Sequence, residues 1–246
     1  MKGKKVVQEA FTELSTHYEK AVDDELNVFW GWNYQRFLDE LIKRTKFQEN
    51  QKILDIATGT SLIPRKIMNL KIPGINIVGQ DITEKMLQKG TREISPDDIN
   101  TSITLVCSDA MALPFTAQSF DLVVSGLASH HMNIPLMLSE MKRILTHGGV
   151  ISIIDVGSSP LWENPILKGF ARVFAFFYFL LKETPSRAWM EAMSITNLRT
   201  PEGWERELSI LELQGISITK LPSKYKLLPE PLYITCNSGV YTGEKK

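Results

Sequence analysis

The chain has 246 residues, of which 43% are hydrophobic, and these values indicate a soluble globular protein with one α/β domain or two small ones. Its 28 Lys and Arg residues balance 28 Asp and Glu residues, and this zero net charge argues against a general nucleic-acid-binding protein. The two cysteines, Cys107 and Cys236, exclude a disulfide framework and a cysteine-based zinc site. No signal-peptide-like apolar stretch follows the basic N-terminal residues, so we expect a cytoplasmic protein.

Two helices are predicted before the first strand-like segment. Residues 4–20 carry apolar side chains at helical spacing, and residues 33–45 show the same pattern. We therefore expect residues 1–50 to form a helical cap.

Short apolar strands alternate with helical stretches between residues 51 and 157. The predicted strands are Lys52–Ala57, Ile75–Gln80, Ile103–Cys107, Phe120–Ser125 and Val150–Asp155. Helices are predicted to begin near Ile63, Thr83 and Ile134. This alternation is typical of an α/β fold with a parallel sheet that is covered on both faces.

The end of the chain has a different pattern. A helix is predicted from Thr200 to Gly215, followed by strands at Ile216–Leu221 and Leu232–Cys236. The connection between these two strands is too short for a parallel crossover, which needs a dozen or more residues. The last strand is therefore predicted to be antiparallel, in a hairpin.

Small and acidic residues follow four of the predicted strands. Residues 57–61 are small, Asp81 and Asp109 follow the second and third strands, and Ser125 ends the fourth. Ligands of open parallel sheets bind beyond the carboxyl ends of the strands. An acid after the second strand can accept both hydroxyls of a ribose, and the amides of a helix N-terminus attract polar ligand groups. The combination indicates a nucleoside-containing ligand.

Five stretches carry a family resemblance, namely Ile53–Thr60, Val78–Thr83, Ser108–Phe115, Ser119–Ser125 and Met141–Gly149. In order and spacing they resemble the class I S-adenosylmethionine methyltransferases, particularly the ubiquinone/menaquinone C-methyltransferase-like branch. The resemblance covers roughly residues 8–160, and the pattern at 200–238 agrees. It implies a Rossmann-like, seven-stranded, mostly parallel sheet whose last strand is antiparallel, with helices on both faces, an N-terminal cap and an inserted lid.

The resemblance also implies S-adenosylmethionine as cofactor and S-adenosylhomocysteine as product. In the family, the first loop holds the methionine part, the second acid the ribose and the third acid the adenine amine. These roles fall on Asp55–Thr60, Asp81 and Asp109. The implied cofactor-binding residues are Tyr18, Asp55, Ala57, Thr58, Gly59, Thr60, Asp81, Ile82, Met86, Ser108, Asp109, Ala110, Ser125 and Gly126.

Three segments depart from the family pattern. The usual Asp-x-Gly-x-Gly-x-Gly becomes Asp55-x-Ala57-x-Gly59-x-Ser61, which keeps only the middle glycine. Residues 126–129 and 155–157 also differ from the quinone-methylating members, and they fall where the substrate should lie. The resemblance therefore implies the cofactor and the fold, but not the quinone substrate.

His130 and Tyr18 are the candidate catalytic residues. A histidine base at position 130 would lie close to the reacting methyl group and can deprotonate an acceptor near neutral pH; the alternative is a histidine without a chemical role. Tyr18 lies on a helix that folds over the cofactor in similar enzymes, and its alternative role is that of a core aromatic residue. No clustered His, Asp or Glu ligand set is visible in the sequence, so no bound metal is predicted.

The predicted activity is methyl transfer to a small apolar or aromatic acceptor, either a specialised metabolite or a quinone-like compound. Residues 158–200 are predicted to form a lid with an aromatic wall, or else to complete the core or a dimer interface. Their apolar helical face consists of Phe170, Val173, Phe174, Phe177, Leu180 and Leu181. Arg172, Tyr178 and Arg187 are the candidates for orienting a polar end of the acceptor.

Other functions remain as alternatives. The apolar segment from Gly169 to Leu181 is too short to span a membrane, although a membrane-borne acceptor stays an option. A nicotinamide dehydrogenase would need Gly-x-Gly-x-x-Gly, which residues 57–62 do not supply. The alternative from another functional class is a non-catalytic protein that binds S-adenosylmethionine or acts as a scaffold. No nucleic-acid partner and no stable membrane insertion are expected, and residues 201–246 are assigned to the final helix and hairpin.

Overall fold

The computed structural model describes residues 2–94, 102–159, 162, 164–225 and 230–239. Three helices open the chain: α1 (Lys2–Leu14), α2 (Tyr18–Trp30) and α3 (Tyr34–Arg44). The prediction of one helix over residues 4–20 is wrong, because a turn at residues 15–17 separates α1 from α2. Helix α2 ends at Gly31, whose φ of +72° is the left-handed conformation that glycine adopts without strain.

Seven strands and six further helices follow in the described part of the chain. They are β1 (Lys52–Ile56), α4 (Leu62–Met68), β2 (Asn76–Asp81), α5 (Glu84–Glu93), β3 (Ser102–Cys107), β4 (Phe120–Gly126), α6 (Ile134–Ile144), β5 (Leu145–Val156), α7 (Pro165–Lys182), α8 (Pro185–Ser194), α9 (Pro201–Ile210), β6 (Gln214–Lys220) and β7 (Pro231–Asn237). A single turn of 3-10 helix at Ser129–His131 follows β4.

The strands form one sheet in the order β3-β2-β1-β4-β5-β7-β6. Strands β1 to β5 pair in parallel, whereas β7 pairs antiparallel with both β5 and β6. The sequence prediction of an α/β fold with a seven-stranded, mostly parallel sheet and an antiparallel last strand is confirmed.

The central strands are buried on both faces, which explains their continuous apolar runs. In β1, Ile53 packs in a core with Phe37 on one face, while the next residue, Leu54, packs in a second core with Trp204. Successive side chains of a strand point to opposite faces, so both need apolar residues when helices cover both faces. The first core includes residues of α2, α3 and α4, and the second includes residues of α6 and α9.

The predicted lid segment folds into a helical hairpin, in which α7 packs along α8. Helix α8 also lies against α1 and against the 3-10 turn after β4. The apolar face predicted on α7 is exposed rather than packed into the core of the described chain. No helix among the described residues has the length and apolar character needed to cross a membrane.

Candidate functional site

Two adjoining cavities lie at the carboxyl ends of the parallel strands. The smaller, of about 140 Å³, is lined by residues that end or follow β1 to β4 and by α1; we call it the strand-end cavity. The larger, of about 380 Å³, lies between α2, α7, α8 and the 3-10 turn; we call it the helical cavity. Both are lined by Phe11, Tyr18, Leu127 and His131, so these four residues form the boundary between them.

The strand-end cavity brings together eight of the predicted cofactor residues. Its lining includes Tyr18, Ala57, Gly59, Asp81, Ile82, Met86, Asp109 and Ala110. They come from distant parts of the chain and meet here because the parallel strands all end at the same edge of the sheet. The other six predicted residues do not line it, namely Asp55, Thr58, Thr60, Ser108, Ser125 and Gly126.

Those six residues lie behind the cavity wall or beside it. The Ser125 hydroxyl donates to the carbonyl of Ile56, and the Thr60 hydroxyl donates to Glu19 on α2. A Cβ atom on Gly126 would lie 2.7 Å from Leu38, so this glycine allows close packing of α3 against β4. Asp55 is fully buried, and burial raises the pKa of its carboxyl to about 8.

The loop after β1 holds three residues with left-handed backbone at alternate positions. Ala57, Gly59 and Ser61 have φ values of +56°, +55° and +62°. These are the three glycine positions of the family motif, and an L-residue in this conformation costs about 1–2 kcal/mol. A Cβ atom on Gly59 would lie 3.9 Å from the Tyr18 ring without a clash, and the Gly59 backbone lines the strand-end cavity.

Asp81 joins the loop after β1 to the end of β2. Its carboxylate accepts hydrogen bonds from the backbone amides of Gly59 at 2.9 Å and Thr83 at 2.8 Å. Burial nevertheless raises the pKa of Asp81 to about 6. Each carboxylate oxygen has a second lone pair, so both can still accept a ligand hydroxyl.

Helix α1 lies over the strand-end cavity. The Lys4 ammonium group is 2.8 Å from a carboxylate oxygen of Asp109, and the Gln8 amide donates to the carbonyl of Ile82. Partial burial raises the pKa of Asp109, but the hydrogen bonds from Lys4 and from the Met111 amide outweigh it, and the pKa is lowered overall. Lys4 is therefore paired with Asp109, the carboxylate that the family resemblance assigns to the adenine amine.

Tyr18 begins α2 at the boundary between the cavities. Burial raises the pKa of its hydroxyl to about 12, so the phenol stays neutral near pH 7. Its ring meets those of Phe11 and Tyr34 edge to face. The side chain is thus a packed aromatic residue that also lines both cavities, and its part in catalysis or cofactor binding stays a prediction.

The predicted base, His130, lies in the wall of the helical cavity and is held by Asp155 at the end of β5. The His130 Nδ1 atom is 2.7 Å from one carboxylate oxygen of Asp155. The other carboxylate oxygen accepts from the Ser129 hydroxyl and from the His130 backbone amide. Burial lowers the pKa of His130, but the charge and hydrogen bond of Asp155 outweigh it and raise the pKa overall.

A buried ionic group forms a second polar part of this wall. The Arg187 Nη2 atom lies 2.9 Å from carboxylate oxygens of both Glu25 and Glu191. The Arg187 Nε and Nη1 atoms have no hydrogen-bond partner among the described residues. Burial raises the pKa of Glu25 to about 7, even though Arg187 lowers it. Unused buried donors beside a cavity are suited to binding a polar group of a ligand.

His131 lies between the His130–Asp155 pair and the ionic group of Arg187, since it contacts both His130 and Glu191. Burial, together with the charges of His130 and Arg187, lowers its pKa well below the ordinary value, so it is neutral at pH 7. His130, His131 and Glu191 offer ligand atoms that lie within 4.8 Å of one another, as a metal site requires. The same Glu191 carboxylate pairs with Arg187, whose positive charge opposes a second cation. We therefore treat the group as an acid–base cluster, and the absence of a bound metal stays a prediction.

Sequence reasoning missed several polar residues in or behind the cavity walls. Asp155 ends a strand at the edge where ligands bind, and that position is a signal for its role. Glu191 lies one turn after Arg187 on α8, and this i,i+4 spacing was visible in the sequence. Glu25 reaches Arg187 from α2, a contact between distant segments for which the sequence has no local signal. Of the three predicted polar anchors, Arg187 lines the helical cavity, whereas Arg172 and Tyr178 do not.

Comparison with known proteins places this chain among methyltransferases. Residues 54–153 match a family profile described as a methyltransferase domain. A demethylmenaquinone methyltransferase of Lactobacillus johnsonii is 31% identical over 178 residues, which are 70% of this chain and 69% of that protein. A protein of the same name from Symbiobacterium thermophilum is 29% identical over 180 residues, 72% of this chain and 66% of that protein. This chain thus spans about two thirds of the length of these relatives.

A solved structure with a similar fold is phosphoethanolamine N-methyltransferase 2 of Haemonchus contortus in complex with S-adenosylmethionine. Its TM-score is 0.60 at 14% identity, and the match covers 86% of this chain and 54% of that one. At this identity the likeness shows a shared fold.

Proposed function

The chain belongs to the S-adenosylmethionine-dependent methyltransferase family, in the branch of the quinone methyltransferases, and from this premise we propose that it methylates an apolar, hydroxylated aromatic acceptor of quinol type. S-adenosylmethionine is the cofactor of the family. The observation that carries the acceptor proposal is the helical cavity, which adjoins the strand-end cavity and has mostly apolar walls. Its volume of about 380 Å³ falls within the range of small-molecule sites.

The residues of the strand-end cavity fit the cofactor. Asp81 can bind the ribose hydroxyls with lone pairs that its two amide partners leave free. The open backbone at Gly59 admits the methionine part, and Asp109 accepts the adenine amine once the Lys4 side chain moves aside. When bound, S-adenosylmethionine supplies an electrophilic methyl group on a sulfonium ion.

His130 is the proposed general base. Its Nδ1 atom donates to Asp155, which leaves Nε2 to accept the proton of an acceptor hydroxyl. Deprotonation raises the electron density on the oxygen and on the adjacent ring carbon, so the same step prepares either atom for methylation. The buried carboxylate of Asp155 holds the imidazole in the required tautomer and stabilises the imidazolium that forms.

Arg187 is proposed to orient the acceptor. Its free Nε and Nη1 groups can donate to an acceptor oxygen and stabilise the developing phenolate charge. Phe174 and Phe179 supply part of the apolar wall against the acceptor ring. Tyr18, which lies between the cavities, is proposed to fix the distance between cofactor and acceptor and to exclude water.

This assignment divides the chain by role. We propose that residues 1–50 cap the two cavities, residues 51–157 bind the cofactor, and residues 158–200 form a lid over the acceptor. Residues 201–246 supply the final helix and hairpin, of which positions 226–229 and 240–246 lie outside the described residues.

The test is a search for labelled product. The protein is incubated with methyl-labelled S-adenosylmethionine and a panel of reduced naphthoquinols and simple phenols, and products are analysed by mass spectrometry. We expect one labelled methyl group on an apolar quinol, with Asp81→Asn as a control that turns over far less at low cofactor concentration. Cofactor binding without any labelled product across the panel would contradict the proposed acceptor class.

A further inference from the structure

A buried ring nitrogen at the boundary between the two cavities has no partner in the described chain. His131 ends the 3-10 turn after β4, and its side chain is 7% exposed. Its Nδ1 atom is buried and makes no hydrogen bond to any described residue. A buried polar atom that stays unpaired costs stability, so this nitrogen marks a place where a ligand group can bind.

The surroundings of His131 determine what that ligand group must be. The His131 Nε2 atom lies 3.9 Å from a carboxylate oxygen of Glu191, and the negative charge favours a proton on this nitrogen. Burial, together with the charges of His130 and Arg187, lowers the pKa of the ring well below its ordinary value. At pH 7 the ring therefore carries one proton, on Nε2, and a lone pair on Nδ1. The ligand must supply the hydrogen-bond donor.

His131 lies where the cofactor and the acceptor molecule meet. It lines both the strand-end cavity and the helical cavity, whereas His130 lines only the helical cavity. The centroids of the two imidazole rings are 4.1 Å apart. An aromatic acceptor with two hydroxyls can therefore contact both rings, with one hydroxyl for each histidine.

We propose that His131 Nδ1 accepts a hydrogen bond from a second hydroxyl of the acceptor and thereby determines which position of the aromatic ring faces the cofactor. This inference rests on the proposed function and deepens it, because it assigns a specificity-determining residue to the acceptor site. His130 holds the hydroxyl that loses its proton, and His131 fixes the rotation of the ring about that contact. An acceptor whose second oxygen is methylated leaves Nδ1 unpaired and binds less tightly.

The test is a binding measurement that needs no methyl transfer. Calorimetry is carried out without oxygen, in the presence of S-adenosylhomocysteine, on para-dihydroxynaphthalene and its monomethyl ether. A second pair, ortho-dihydroxynaphthalene and its monomethyl ether, tests hydroxyls on neighbouring carbons. For at least one pair we expect the wild type to bind the diol about tenfold or more tighter than the ether, because the ether leaves a buried nitrogen unpaired.

Three substitutions of His131 separate the roles of its two nitrogens. His131→Asn keeps a polar atom near the position of Nδ1, His131→Gln keeps one near Nε2, and His131→Phe keeps neither. We expect the preference for the diol to survive in the asparagine variant and to be lost in the other two. The melting temperature of His131→Phe should not fall, because the substitution removes an unpaired buried atom rather than a hydrogen bond. His147→Phe is the matched control, since His147 is exposed and lines neither cavity.

Methyl transfer to an unsymmetrical diol shows the effect on positional selectivity. The wild type should place the labelled methyl group at one position. His131→Phe should raise the acceptor KM and give a mixture of positional isomers, which mass spectrometry and NMR resolve. A side chain with a purely structural role would change neither the KM nor the position of the label.

Two results would overturn the inference. One is a preference for the diol that is absent in the wild type or unchanged in His131→Phe. The other is a His131→Phe variant whose affinity for S-adenosylhomocysteine falls while its preference for the diol is kept, because Nδ1 would then bind the amino group of the cofactor. Labelled product with an unchanged diol preference refutes this inference alone, whereas a preference that depends on His131 without any labelled product refutes the proposed function alone.

Discussion

Replacing Asp155 with asparagine should slow methyl transfer and move the acid limb of the kcat/KM pH profile to lower pH. In the wild type, His130 must be neutral to act as a base, and Asp155 raises its pKa, so activity is lost as pH falls through this raised pKa. Asparagine removes the charge that raises the pKa and leaves burial, which lowers it. The acid limb of the variant should therefore lie at lower pH than that of the wild type.

The size of the effect follows from the contacts that are lost. Asp155 accepts from His130 Nδ1, from the His130 amide and from the Ser129 hydroxyl, and an asparagine side chain has only one oxygen to accept them. Losing an oriented base costs about 10²–10⁴-fold in rate. Loss of hydrogen bonds to a buried charge costs about 1–3 kcal/mol of unfolding free energy. Cofactor affinity should stay the same, because Asp155 does not line the strand-end cavity.

The assay is the initial rate of labelled methyl transfer between pH 5 and 9, with calorimetric cofactor binding and a thermal melt for each protein. Asp39→Asn is the matched control, since Asp39 is an exposed carboxylate that pairs with Lys66 and lines neither cavity. A folded Asp155→Asn variant whose pH profile and rate match those of the wild type would refute the role given to His130 and Asp155.

Three further predictions concern the cofactor loop, the ribose acid and the acceptor wall. Asp81→Asn should weaken S-adenosylmethionine binding by about 1.5–3 kcal/mol in calorimetry. The affinity of the wild type should fall as pH drops through about 6, because Asp81 is then protonated. Unchanged affinity in both experiments would remove Asp81 from the ribose site. Ser61→Gly should raise the free energy of unfolding in urea by about 1 kcal/mol, since relief of left-handed strain exceeds the added flexibility of the unfolded chain, and a loss of stability would count against that strain. Phe174→Ala should raise the acceptor KM and leave the cofactor dissociation constant near that of the wild type; a lower melting temperature with unchanged acceptor kinetics would give Phe174 a purely structural role.

Much of the sheet is predictable from the sequence because its strands are buried on both faces. The apolar run around Ile53 and Leu54 needs no alternation, and this marks a covered parallel sheet. The antiparallel hairpin was predictable because the connection between β6 and β7 is too short for a parallel crossover. The break between α1 and α2 was missed because residues 15–17 contain no proline or glycine, and helical spacing continues across them.

The candidate site also has one part that the sequence predicts and another that it does not. Asp81 and Asp109 were predictable because both follow strands of one parallel sheet, whose ends meet at one edge. Ser125 and Gly126 also lie at a strand end but do not line the cavity, because the Ser125 hydroxyl is bonded to the carbonyl of Ile56 and Leu38 packs closely against Gly126. The pair of Arg187 with Glu25 depends on how the α7–α8 hairpin packs against α2, whereas Glu191 pairs with Arg187 within α8. Such packing between segments distant in sequence has no local sequence pattern.

The most direct test of the account is a crystal structure of the protein with S-adenosylhomocysteine and a reduced naphthoquinol analogue. The account predicts the nucleoside product along Gly59, Asp81 and Asp109, with the quinol ring in the helical cavity and one hydroxyl within hydrogen-bond distance of His130 Nε2. A quinol bound away from His130, or a nucleoside outside the strand-end cavity, would contradict the division of the site into a cofactor cavity and an acceptor cavity.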